Sequence, residues 1–189
     1  MGYRISSLAS LPIIHEIELY IFVIYKNHWR NGLSGAIESE FNKLAQRIGS
    51  KAAIVIGHDG EDIGSEIWQI IRQKPGMERL ARRCSDSYPG ILIVGAHPNE
   101  ITPNDLILFI PLDRIREQYK GNYDVFFNAL SEFAQNRNED FIRRFEDKTD
   151  YIGDILDIIE IKPEFLGISF NVKAFINKLR KAKKTLNAT

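Results

Sequence analysis

Ile17-Glu18-Leu19-Tyr20-Ile21-Phe22-Val23-Ile24-Tyr25-Lys26 is the stretch that decides how this chain folds. Its middle is β-branched and aromatic, and it is apolar on both faces. A strand with one wet face alternates; one covered by helices on both sides reads like this. The unbroken apolar run from Leu19 to Tyr25 falls far short of the roughly 20 residues that cross a bilayer, so it is expected to be a central strand and no membrane span.

Downstream of a polar break, Leu33, Ile37, Phe41, Leu44 and Ile48 recur at helical spacing and Gly49 supplies a stop. Residues 52–57 read as a second buried strand. The helix between the two strands makes a right-handed crossover to a parallel neighbour the expected connection. Asp59-Gly60-Glu61-Asp62 carries turn and capping chemistry for a second helix marked by Ile63, Ile67 and Ile70 or Ile71, which Lys74-Pro75-Gly76 halts. Met77, Leu80, Ala81 and Cys84 extend it as a further helical piece. Pro89 opens a third strand, Ile91-Leu92-Ile93-Val94, and residues 106–110 form a fourth. The loop between them, residues 96–105, is shorter than the dozen or more residues a parallel crossover needs, so these two strands should pair antiparallel.

A long amphipathic helix is expected next, with Phe126, Leu130, Phe133, Phe141 and Phe145 on its inner face and Arg137 interrupting the stripe. Beyond it, Ile152, Ile155, Leu156 and Ile159 repeat helical spacing, Pro163 breaks it, residues 167–172 form a short strand or extended link, and a last helix carries Val172, Phe175, Ile176 and Leu179. The expected architecture is α/β: β-α-β-α-β-β-α with a mixed four-stranded sheet over residues 17–146, an N-terminal extension at 1–16, and a helical C-terminal extension at 147–189 packed on the domain.

Composition narrows the function. The 189 residues hold 25 Lys plus Arg and 25 Asp plus Glu, so no global field draws the chain to nucleic acid or to an anionic membrane. Cys84 is the only cysteine, which excludes an internal disulfide, a CxxC redox pair and a cysteine-rich zinc site. Met1 to Ser10 contains one basic residue and no continuous hydrophobic segment, so a secretory signal is not expected, and a cytoplasmic location is. No HxxxH, CxxC or spaced acidic loop calls for a metal, and no cofactor is expected.

The pattern resembles the thioredoxin superfamily, in which a βαβ half is joined by a helix to a ββα half. Trp29 follows the first strand where such proteins place a tryptophan before the active-site turn, and Pro89 in Ser87-Tyr88-Pro89-Gly90-Ile91 stands where the family carries a cis-proline. The resemblance covers about residues 17–133. At the position of the family's CxxC this chain reads Arg30-Asn31-Gly32-Leu33. With neither a thiolate nucleophile nor a resolving thiol, that turn cannot exchange disulfides.

Three places could carry function. The turn with Trp29, Arg30, Asn31 and Gly32 opens a helix whose free N–H groups suit an anion, although Asn31 and Gly32 serve equally to shape the turn and cap the helix. His58, Asp59 and Glu61 follow the second strand, where open α/β sheets bind ligands, and the same acids also cap a helix. His97 and Glu100 follow the third strand. If that strand runs opposite to the first, His97 lies at the far edge from His28, His58 and Pro89; in a doubly wound sheet the histidines share one rim, and a hydrolytic or nucleotide-binding pocket gains weight. Lys173, Lys178, Arg180, Lys181, Lys183 and Lys184 make the C-terminal tail basic, suited to an acidic surface or simply to solubility.

The expected function is a redox-inactive thioredoxin-like binding or regulatory module that contacts a protein partner or a second copy of itself. The alternative is a nucleotide- or NAD-processing enzyme or effector that uses the acidic loop after the second strand.

Overall fold

In the computed structural model, which describes residues 1–24, 33–58, 61–78, 81–82, 89–102, 105–136 and 139–146, the deciding stretch forms a strand, here β2, at Leu19–Ile24. All six of its residues are buried. The other strands are β1 at Gly2–Ile5, β3 at Ala52–Gly57, β4 at Gly90–Val94 and β5 at Ile107–Pro111. They form one sheet in the order β1-β3-β2-β4-β5. Strand β3 is parallel to both β1 and β2, whereas β4 is antiparallel to β2 and to β5. Both the parallel pairing across the first helix and the antiparallel pairing across the short loop agree with the sequence expectation.

The sheet has five strands, and the expected four is corrected. The extra one lies in the N-terminal extension, where Gly-Tyr-Arg-Ile is too short and too exposed to show a strand pattern. Its position is fixed by long-range contacts. The Met1 amino group donates to the carbonyls of Ala52 at 2.8 Å and Gly49 at 3.3 Å, and the Ile54 N–H donates to the Met1 carbonyl at 2.8 Å.

Because side chains alternate along a strand, β2 feeds two cores. Leu19, Ile21 and Val23 pack with Phe41, Leu44 and Ile48 from α1 (Leu33–Arg47) and its end, and with Phe126, Leu130 and Phe133 from the helix Tyr123–Asn136. Tyr20, Phe22 and Ile24 pack with Ile63, Ile67, Trp68 and Ile71 of α2 (Ile63–Gln73), and with Leu8, Leu11 and Ile17 from the segment that links β1 to β2. Each such side chain contributes roughly 1.5–3 kcal/mol when fully buried, so helices on both faces make β2 the best-anchored element of the fold.

The helical half departs from expectation in its segmentation. After β5 comes α3 at Leu112–Gln118, then α4 at Tyr123–Asn136 and α5 at Glu139–Glu146. Lys120 and Gly121, at φ 51° and 72°, turn the chain between α3 and α4, and the Asn122 side chain accepts from the Val125 N–H at 3.2 Å. The expected single helix is thus α4 and α5, with Phe126, Phe133 and Phe141 on the inner face as anticipated. Met77 and Ala81 are joined by a helical N–H to carbonyl bond of 3.0 Å, in keeping with the further helical piece. Leu80, Cys84, Arg137 and everything expected of residues 147–189 lie outside the described residues.

Gly90 has to be glycine. A Cβ there would stand 2.5 Å from the Ile110 carbonyl oxygen and 2.7 Å from the Phe109 ring. Gly90→Ala is expected to destabilise the fold by about 1–3 kcal/mol, read as a lower urea midpoint at unchanged m-value.

Candidate functional site

The strand register decides which loops meet. Ile24 pairs with Gly90 and Val23 with Ile56, so the end of β2, the end of β3 and the start of β4 share one edge of the sheet. His58, Glu61 and Pro89 therefore stand at that edge. The chain leaves β2 there and returns at α1; Trp29, Arg30, Asn31 and Gly32, like Asp59, lie outside the described residues. Pro89 is half-buried, and its carbonyl accepts from the Leu112 N–H at 2.9 Å, which ties the edge to the start of α3.

The loop after β3 is held tightly. The Glu61 N–H donates to the His58 carbonyl at 2.9 Å, and the chain turns so sharply that a Cβ on Gly57 would collide with the Glu61 carbonyl. Asp62 then caps α2, its Oδ1 accepting from the N–H groups of Gly64 at 3.0 Å and Ser65 at 3.3 Å. Glu66, one turn on, accepts through Oε2 from the Leu8 N–H at 2.8 Å and the Ser7 hydroxyl at 3.2 Å. Two of the acids after β3 thus serve the backbone, while the side chains of His58 and Glu61 are exposed at the edge.

His97 is at the opposite edge. Antiparallel β4 ends beside the start of β2, with Val94 opposite Tyr20. The imidazole is only 3 % exposed, its Nε2 lies 3.3 Å from the Leu11 carbonyl, its Nδ1 accepts from the Asn99 N–H at 3.3 Å, and the Tyr20 ring meets it edge-on at 5.5 Å. Burial holds its pKa below the ordinary histidine value, against the opposing pull of the Leu11 carbonyl and the Glu100 carboxylate. The sheet directions therefore separate His58 from His97, and a pocket using both is not formed; His28 lies outside the described residues. Among the described residues no group of three or more His, Cys, Asp or Glu is placed to hold a metal ion. No described helix is long and apolar enough to cross a membrane.

Sequence reading missed the strap of residues 7–17, which lies over Tyr20 and Trp68 and engages both Glu66 and His97. Its partners are 58 and 86 positions away, and its apolar residues, Leu8, Leu11, Ile13, Ile14 and Ile17 among them, follow no helical or strand period that would mark it.

Comparison with known proteins finds no match to this chain, whether among protein-family models, curated proteins or solved structures.

The loop makes a checkable statement about local stability. Asp62→Ala is expected to cost about 1 kcal/mol through the lost cap, and Gly57→Ala more than that, because backbone and not a flexible side chain blocks the new methyl group. Thermal unfolding of the two variants beside the parent measures the order.

Proposed function

We propose that the protein is a redox-inactive, thioredoxin-like binding or regulatory module. It meets a protein partner with the edge made by the Trp29-Arg30-Asn31-Gly32 turn, the His58 to Glu61 loop and Pro89. The observation that carries this reading is the pairing of Ile24 with Gly90 inside the order β1-β3-β2-β4-β5, which sets the departure point of that turn beside Pro89. The residues that would do dithiol chemistry are replaced by Arg30-Asn31-Gly32-Leu33, which leaves an arginine, exposed His58 and Glu61, and a rigid proline as recognition groups. Residues 17–146, joined by β1 and the strap from the start of the chain, form the binding domain in this reading, with 147–189 packed on it as an extension.

The nucleotide- or NAD-processing alternative draws less support. It asks the acids after β3 to be available for chemistry, yet Asp62 is spent on the α2 cap and Glu66 on the strap, and His58 and His97 stand at opposite edges.

Photo-crosslinking in the native host tests the proposal. A crosslinkable residue at position 30 or 61 is expected to give the same discrete protein adduct, or a dimer of the chain itself, and Trp29→Ala is expected to abolish it. The same residue at Lys43, a largely exposed position on α1, should give none. Identical adducts from all three positions would overturn the reading, as would NAD or nucleotide consumption by the purified protein that Glu61→Ala removes.

A further inference from the structure

We infer that His97 is an acid-released latch: a neutral imidazole that fastens the strap of residues 7–17 over the Tyr20 face of the sheet and lets it go when protonated. The latch does not depend on the partner-binding reading, since it sits at the other edge. Its basis is that both ring nitrogens are already committed, with opposite roles. The Asn99 N–H can only donate, so Nδ1 has to accept and carry no proton; Nε2 then holds the hydrogen and donates to the Leu11 carbonyl. A second proton would set two donors against each other at Nδ1 and place a cation in a site that is 3 % exposed.

The surroundings offer this cation little. The Tyr20 ring on β2 stands perpendicular to the imidazole with ring centres 5.5 Å apart, the strap presents the Leu11 carbonyl, and on the histidine's own turn the Glu100 carboxylate pulls toward the charged form. Lys74, at the end of α2, donates to the Asn99 carbonyl at 2.8 Å and adds positive charge to the same turn. Burial outweighs the two favourable groups, so the closed form holds its proton less tightly than the open form. The sign follows: the open strap takes up a proton near the ordinary pKa of about 6.5, and closure is fully favoured above that pH and weakens as the pH falls below it.

Release has a defined consequence. A second polar tether, Glu66, is bonded to Ser7 and Leu8 and lies toward the strap's start. Freeing Leu11 loosens the later part, where Leu11 and Ile17 share a buried core with Tyr20 and Trp68. An apolar face of the sheet is then uncovered by a one-proton event.

Hydrogen exchange on the full chain at pH 7.5 and 5.5, corrected for intrinsic rates, tests this. The Leu11 and Ile17 amides, bonded to the Leu8 and Ile14 carbonyls, are expected to lose protection on acidification, by up to the roughly tenfold that one pH unit below the ordinary histidine pKa of about 6.5 allows, while Ile21 and Ile54 stay protected. His97→Asn keeps an acceptor for the Asn99 N–H without a titrating ring. It should show weak strap protection at both pH values, with protected Ile21 and Ile54 reporting an intact fold. Glu66→Gln, which removes the charge of the second tether, should keep the pH-dependent loss. Strap protection that does not change with pH in the parent would overturn the latch, and so would a loss that persists in His97→Asn or vanishes in Glu66→Gln.

Discussion

The antiparallel contact between β2 and β4 is the constraint on which the rest depends. Strand β2 is bonded on both sides and buried on both faces, so it has no freedom to slide or to turn over without moving both cores from their places. Once β4 lies against it in the opposite sense, with Ile24 across from Gly90 and Tyr20 across from Val94, every connecting loop is assigned to an edge. Pro89 goes with the loops after β2 and β3. His97 goes with the strap.

The two edges are then put to different uses. At one, the backbone is tightened by Gly57, by the Glu61 to His58 turn and by the Asp62 cap, and His58 and Glu61 are exposed there. At the other, a buried imidazole fastens a segment from the start of the chain to a loop far along it. Polar groups buried in this way are informative because each needs a partner of the right kind. Asp62, read from the sequence as part of a capping segment, does cap α2.

Much of the sheet was legible because its signals are local. Residues 19–24, 52–57 and 90–94 are apolar runs that only a doubly covered strand explains, and the short loop before β5 fixes its direction by chain length alone. The helix stops at Gly49 and at Lys74-Pro75-Gly76 were equally plain. What was not legible depends on distant partners. Strand β1 has four residues and a mostly exposed pattern, and it exists because Met1 and Tyr3 find β3 beside them. The break between α3 and α4 turns on Lys120 and Gly121, a pair that nothing in the apolar periodicity marks. The candidate edge was legible as three separate loops, and only the register brings His58, Glu61 and Pro89 together.

Interstrand nuclear Overhauser contacts between β2 and β4 test this account most directly. The account predicts backbone contacts that join Ile24 to Gly90 and Tyr20 to Val94 within the same molecule. Contacts that join Ile24 to Val94 and Tyr20 to Gly90 would mean that the two strands run the same way, and would contradict it.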